Sequence, residues 1–161
     1  MSGFEIERKF LVLDCSYRQQ AYNCSHIRQG YICSSHGRTV RVRIRDNRGF
    51  LTIKGPSDSN GLTRYEFEKE ITLDEAEHLF ALCEPGAIDK MRYLVKSGKH
   101  VFEVDEFLGD NEGLVIAEVE LEKELEPYEK PGFIGDEVTG DRRFYNSFLT
   151  KLPFRKWKAN K

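Results

Sequence analysis

The chain has 161 residues, of which 39% are hydrophobic and 32% are charged, and its formal net charge is −2. This length and composition predict one domain spanning 1–161, without disulfide or metal staples, and the near balance of charge argues against a bulk polyanion binder. The four cysteines form no C-x-x-C pair, and the four histidines lack zinc-ligand spacing. No apolar run approaches the ~20 residues that cross a bilayer, and the first ten residues contain glutamates where a signal peptide needs an apolar core. We therefore expect a cytoplasmic protein with no membrane partner.

Apolar and charged residues alternate with a period of two along most of the chain, which predicts strands with two unlike faces. The predicted strands lie, in chain order, at 4–10, 27–32, 39–45, 51–54, 65–71, 90–93, 102–105 and 118–122. Polar, glycine-containing turns separate several of them, at 46–49, 97–99 and 109–113. Eight antiparallel strands can close into a barrel and so remove their exposed edges.

Two helices are predicted beside the strands. Thr72 and Glu75 form a capping box ahead of an amphipathic run that ends at Pro85, and a second helix is expected over 142–149. The fold class is therefore α+β: an eight-stranded antiparallel β-barrel with a few flanking helices.

The charged faces are sorted by strand. The carboxylate pairs are Glu5/Glu7, Glu66/Glu68 and Glu118/Glu120, and the cationic groups are Arg41/Arg43, Lys54 and Lys90/Arg92. Periodicity alone leaves open which face points inward, because an apolar interior with a charged outside gives the same alternation. A polar interior is favoured, since amphipathic helices need an apolar outer surface and since sorted charges suit triphosphate together with divalent ions. All-oxygen ligation favours Mg²⁺ or Mn²⁺.

Several segments then resemble one family in their order along the chain. An E-x-E-x-K motif occupies 5–9, and it is followed by Q-G-Y at 29–31, TVRVRIR, LTIKG, EFEKEI, KMRYLV, FEVDEFLGDNEGLVIAEVELE and EVTGDRRFYNSFL. Together they resemble the CYTH superfamily of triphosphate tunnel metalloenzymes, and in particular its bacterial inorganic triphosphatase-like branch. The resemblance implies an eight-stranded tunnel that the charged faces line.

The resemblance also implies roles for individual residues. The expected metal-binding carboxylates are Glu5, Glu7, Glu118 and Glu120, with Asp105 as a further candidate. The expected phosphate-binding cations are Arg41, Arg43, Lys54, Lys90 and Arg92. Lys9, with Tyr31, is expected to orient or deprotonate the attacking water, although Tyr31 also reads as an ordinary strand aromatic. Arg45 and Glu70 continue their stripes at strand ends, where solvated surface is expected.

Three functions remain open at this point. The leading one is metal-dependent hydrolysis of inorganic tripolyphosphate or a related organic triphosphate, with Mg²⁺ or Mn²⁺ as cofactor. A class IV adenylate cyclase would use the same tunnel, with the ribose 3′-hydroxyl of ATP in place of water. A non-catalytic module that binds RNA or another polyanion is a third reading. The expected partner is a small-molecule triphosphate rather than nucleic acid, and a homodimer is left open.

Overall fold

The computed structural model describes residues 3–157. Nine strands lie in chain order at β1 Gly3–Val12, β2 Asn23–Cys33, β3 Thr39–Arg45, β4 Arg48–Lys54, β5 Thr63–Ile71, β6 Ile88–Ser97, β7 His100–Phe107, β8 Val115–Leu121 and β9 Ile134–Glu137. Four short helices are α1 Tyr17–Gln20, α2 Leu73–Phe80, α3 Asn146–Leu149 and α4 Phe154–Trp157. Single 3₁₀ turns occupy Gly109–Asn111 and Arg142–Phe144.

The sheet closes on itself through β1. Neighbouring strands follow the order β5-β4-β3-β2-β6-β7-β8-β1, and the first half of β1 then pairs antiparallel with β5, from Gly3 opposite Glu66 to Ile6 opposite Thr63. The predicted eight-stranded antiparallel barrel is therefore confirmed. The second half of β1 instead pairs with the short strand β9, which the alternation did not predict.

The apolar faces point outward and pack beneath covering segments. Val42 and Ile44 of β3 are buried against Ala76 of α2. Elsewhere Phe10 and Phe102 are fully buried on the outer side of the barrel, beneath the loop that carries Phe133. Because the outer face supplies the hydrophobic cores, the opposite faces of the same strands point into the lumen.

Helix α2 begins at the predicted capping box. Thr72 Oγ1 accepts a hydrogen bond from the Glu75 backbone at 3.0 Å, and Glu75 Oε1 accepts one from the Thr72 backbone at 2.9 Å. The helix approaches β4 closely, because Gly49 leaves room for Ala76: a Cβ at Gly49 would lie 2.5 Å from Ala76 Cβ.

The helix predicted over 142–149 is wrong as one element. The chain makes the 3₁₀ turn Arg142–Phe144, becomes extended at Tyr145 (φ −73°, ψ 133°), and resumes as α3. Phe144 packs in an outer apolar cluster, whereas Tyr145, Asn146 and Ser147 all line the lumen. Consecutive helical residues point about 100° apart, so an unbroken helix could not direct three consecutive side chains to one side.

Within 3–157, no helix is both long enough and apolar enough to span a bilayer.

The fit of α2 against β4 can be tested at Gly49. Gly49→Ala places a methyl group against Ala76 and should lower the free energy of unfolding by about 1–3 kcal/mol, measured by urea denaturation. Gly132→Ala is the matched control, because a Cβ there meets no atom within 4 Å. Equal stability of the two variants would contradict this packing.

Candidate active site in the lumen of the barrel

A cavity of about 300 Å³ occupies the lumen. Eleven of the twelve predicted site residues line it: Glu5, Glu7, Lys9, Tyr31, Arg41, Arg43, Lys54, Lys90, Arg92, Glu118 and Glu120. The structure therefore gathers residues from six strands into one polar chamber. The exception is Asp105, which lies buried behind the lumen surface.

Strand order separates the two signs of charge across this lumen. The acidic wall comprises seven carboxylates of the adjacent strands β7, β8, β1 and β5: Glu103, Glu118, Glu120, Glu5, Glu7, Glu66 and Glu68. The cationic wall comprises six side chains of β4, β3 and β6, which lie with β2 on the other side of the lumen: Lys54, Arg41, Arg43, Arg45, Lys90 and Arg92. Lys9 of β1 and Arg64 of β5 are lumen-lining cations on the acidic side. Charges of one sign that are grouped on the same strands in the sequence thus lie mainly on the same side of the lumen.

Asp105 holds two cations of the cationic wall in place. Its carboxylate accepts hydrogen bonds from Arg92 Nε at 2.7 Å and Arg92 Nη2 at 2.9 Å, and Lys90 Nζ lies 2.7 Å from Oδ2. Burial raises the pKa of Asp105, but Arg92 and Lys90 outweigh burial and bring the pKa well below its ordinary value. Asp105 and Lys90 are each 1% exposed. Both oxygens of Asp105 are therefore engaged with cations.

Lys90 has an unusually low pKa. Burial lowers it most, Arg92 and Arg43 lower it further, and Asp105 partly offsets them, so that the pKa is about 7. Burial, together with Arg41 and Arg92, likewise lowers the pKa of Arg43 to about 9. The cationic wall thus carries more positive charge than its own carboxylate neighbours compensate, as expected of a site for a polyanion.

Arg41 offers a donor to a ligand. Its Nη2 donates to Thr52 Oγ1 at 3.1 Å and lies 3.6 Å from Glu68 Oε2, but its buried Nε has no hydrogen-bond partner among the described residues. A buried donor without a partner costs about 1–3 kcal/mol. A rotation of the guanidinium toward an anionic oxygen in the lumen would remove that cost.

Carboxylates crowd the acidic wall. Burial, Glu118 and Glu5 raise the pKa of Glu7 well above its ordinary value, and burial with Glu5 and Glu103 raises that of Glu120. For Glu118, burial acts upward but Lys9 and a hydrogen bond from Glu7 act more strongly, and the net pKa is lowered. Burial and the neighbouring charges thus leave Glu7 easier to protonate than Glu118.

A divalent cation would offset the repulsion among these carboxylates. Hard oxygen donors in a desolvated, like-charged cluster suit Mg²⁺ or Mn²⁺, so the residues fit such an ion. Within 3–157, no group of three or more His, Cys, Asp or Glu side chains is arranged to hold a metal ion. An ion here would complete its ligand shell with water and substrate oxygens, as Mg²⁺ usually does.

The two predictions for strand ends have different outcomes. Arg45 was expected at solvated surface, but it lines the lumen with its guanidinium 4.7 Å from the Phe50 ring centroid, so that expectation is wrong. The aromatic ring extends the wall beyond the paired arginines. Glu70 is exposed and paired with Arg48 at 2.6 Å, as expected of surface.

Sequence reasoning missed residues that strand parity or loops bring to the site. Glu66, Glu68 and Thr52 lie in phase with the predicted ligands, so parity could have placed them there. Arg64 and Glu103 also line the lumen. Thr139, Tyr145, Asn146 and Ser147 come from an irregular segment that alternation cannot detect.

A closed antiparallel barrel with opposed acidic and cationic walls defines a tunnel for a polyanion and its counterions. The chain belongs to the CYTH family: residues 3–145 match the model of the CYTH domain. It is 46% identical over 157 residues to the inorganic triphosphatase of Acetivibrio thermocellus, covering 97% of this chain and 99% of that protein. It is 34% identical over 152 residues to the inorganic triphosphatase of Nitrosomonas europaea, covering 90% and 95% respectively.

A solved crystal structure described as that of an inorganic triphosphatase has the same fold. It superimposes with a TM-score of 0.65 at 30% identity, covering 92% of this chain and 99% of that one. The likeness thus extends over nearly the whole chain.

The role of Asp105 can be tested with Asp105→Asn. This change leaves Lys90 and Arg92 buried beside a neutral amide, and the free energy of unfolding should fall by about 3–5 kcal/mol. Glu120→Gln removes a carboxylate whose charged form is disfavoured by burial, Glu5 and Glu103, so it should leave stability unchanged or raise it by under about 1 kcal/mol. Chemical denaturation of the two purified variants makes the comparison, and a smaller loss for Asp105→Asn than for Glu120→Gln would contradict the assignment.

Proposed function

We propose that this chain is a metal-dependent hydrolase whose substrate is inorganic tripolyphosphate, bound in the lumen of a single CYTH domain. The observation that carries the proposal is the opposition of the acidic and cationic walls across one small lumen. The similarity of the chain to inorganic triphosphatases over nearly its whole length supports hydrolysis over the adenylate cyclase alternative.

The cationic wall would bind the phosphates. Arg41, Arg43, Lys54, Lys90 and Arg92 present several donors to one face of the lumen, and guanidinium groups match phosphate oxygens in a bidentate fashion. Lys54 also donates to Glu5 at 2.8 Å and so joins the two walls. These side chains would hold an extended triphosphate against one side and offset charge that develops on the leaving diphosphate.

The acidic wall would hold the metal. Glu5, Glu7, Glu118 and Glu120 are the residues assigned to Mg²⁺ or Mn²⁺, and Glu66 and Glu68 lie on the neighbouring strand. When bound, such an ion supplies Lewis-acid polarisation of a phosphoryl oxygen. We do not retain Asp105 among the metal ligands, because both of its oxygens are engaged with Lys90 and Arg92.

Lys9 would act at the reacting end of the substrate. Its Nζ donates to the Phe144 carbonyl at 3.3 Å and lies 5.2 Å from the Tyr145 ring centroid, close to the carboxylates of the acidic wall. An ammonium held in this way can orient a terminal phosphoryl group or the attacking water. Tyr31 faces the same lumen from β2 and is proposed as a donor to a phosphate oxygen.

Other expectations from the sequence stay predictions. We expect no nucleic-acid partner and a cytoplasmic location. Whether the chain forms a homodimer stays open. The RNA-binding reading has no support from the named relatives. Arginines that face a closed lumen are poorly placed to contact a nucleic-acid backbone, which recognition modules meet with an open basic surface.

The activity is tested by phosphate release from tripolyphosphate with Mg²⁺ or Mn²⁺, with ATP and cyclic AMP production measured in parallel. Glu7→Gln should lower kcat/KM for tripolyphosphate by about 100-fold or more, because it removes a metal-binding charge from the wall. Glu70→Gln, at an exposed position on the neighbouring strand β5, should stay within about twofold. Cyclic AMP from ATP without phosphate release from tripolyphosphate would identify a cyclase instead.

The low pKa of Lys90 predicts a pH effect on substrate capture. Lys90 is cationic below about pH 7 and neutral above it, so its contribution to kcat/KM is present at low pH and is lost as pH rises through 7. Lys90→Met should therefore reduce kcat/KM for tripolyphosphate by about tenfold at pH 6 and by much less at pH 8.5. An equal reduction at both pH values would refute this assignment.

A further inference from the structure

Gln29 lies at the centre of the cationic wall without belonging to either charged set. It is fully buried on β2, between the arginines of β3 and the Lys90 strand β6. Its Oε1 accepts from Arg43 Nε at 2.9 Å, and its Nε2 donates to Tyr31 Oη at 3.1 Å and to Asn146 Oδ1 at 3.3 Å. One side-chain amide therefore contacts two lumen residues of the strands and one of the C-terminal segment.

The orientation of every group in this network follows from Arg43. A guanidinium can only donate, so the oxygen of Gln29 must face Arg43 and its nitrogen must face Tyr31 and Asn146. The oxygen of Asn146 must then face Gln29. Lys90, which as an ammonium can also only donate, approaches that same oxygen at 2.8 Å, so Arg43 and Lys90 require the same orientation of the two amides.

This arrangement directs the remaining donors toward the lumen. Because Tyr31 Oη accepts from Gln29, its own proton is free to point at a ligand. Because Arg43 is fixed through Nε, its outer nitrogens remain for an anion. Lys90 is held between Asp105 and Asn146, which sets the direction of its third N–H.

We propose that Gln29 and Asn146 form a relay of positioning residues that sets the donor directions of Arg43, Tyr31 and Lys90 for the bound triphosphate. The relay also fastens the C-terminal segment to the barrel wall, since α3 carries Asn146. Residues beyond the last barrel strand thus help to shape the phosphate site. The inference rests on the proposed function and deepens it, because it assigns two uncharged residues to substrate positioning.

A double-mutant cycle tests the relay. Gln29→Met and Asn146→Leu keep the side-chain size but remove the polar contacts, and each should lower kcat/KM for tripolyphosphate by about tenfold. Since each change breaks the same chain of hydrogen bonds, the double variant should lose about tenfold as well, not the hundredfold product. Asn111→Leu is the control: this buried amide accepts from the Phe154 backbone at 2.8 Å, and Asn111 does not line the lumen.

The melting temperatures separate positioning from folding. The control should lose stability and keep kcat/KM within about twofold, whereas the relay variants should lose kcat/KM while they remain folded at the assay temperature. Multiplicative losses in the double variant, or single losses under about twofold, would overturn the relay.

Failure of the proposed function has a different signature. A parent protein that releases no phosphate from tripolyphosphate would refute the hydrolase proposal. For the same single and double variants, the affinity for tripolyphosphate would then be measured by calorimetry in metal-free buffer. There, non-additive losses of about tenfold support the relay, and unchanged affinities overturn it.

Discussion

The pairing of the first half of β1 with β5 closes the sheet, and the site depends on that closure. In an open sheet the charged faces would meet water and interact weakly. Closure brings β5, β1 and β8 together on one side of a narrow lumen and leaves β4, β3, β2 and β6 on the other. The lower effective dielectric of that lumen then strengthens each interaction between a wall and a ligand of opposite charge.

The same closure buries charged side chains, which is energetically unfavourable, and the structure treats these charges in two ways. Buried cations are stabilised within the wall where a carboxylate can reach them, as Asp105 does for Lys90 and Arg92. Elsewhere the charges remain under-compensated: Arg41 keeps a donor without a partner among the described residues, and burial together with Glu118 raises the pKa of Glu7. These are the places where a polyanion and a divalent cation would contribute most to stability, which links unfavourable local electrostatics to function.

Much of this could be predicted from the sequence, because period-two alternation reports directly on which residues share a face. Eleven of the twelve predicted site residues line the lumen for that reason. Asp105 shows the limit of parity, since it shares a face with Glu103 yet lies behind the surface. A signal was available: the turn that pairs Ser97 with His100 places Arg92 opposite Asp105, and a carboxylate opposite a buried arginine is expected to pair with it.

Other features could not be read from local pattern. Alternation places Arg45 on the face of Arg41 and Arg43 but does not show how far the lumen extends, and there its guanidinium lies over the Phe50 ring of the next strand. Tyr145 breaks the expected helix because Phe144 must pack outside while the next three residues face inside. Gln29 is uncharged, so the pattern of charged faces did not mark it as a site residue. Its proposed role depends on partners far away in the chain, such as Asn146.

The central claim is that a triphosphate and its metal ion occupy opposite walls of one lumen. The most direct measurement is a crystal structure with Mn²⁺ and a non-hydrolysable imido analogue of tripolyphosphate, with anomalous scattering recorded to locate manganese. We expect the manganese signal beside Glu5, Glu7, Glu118 or Glu120, and the analogue along Arg41, Arg43 and Lys90. Manganese bound at Asp105, or an analogue bound outside the barrel, would contradict the account.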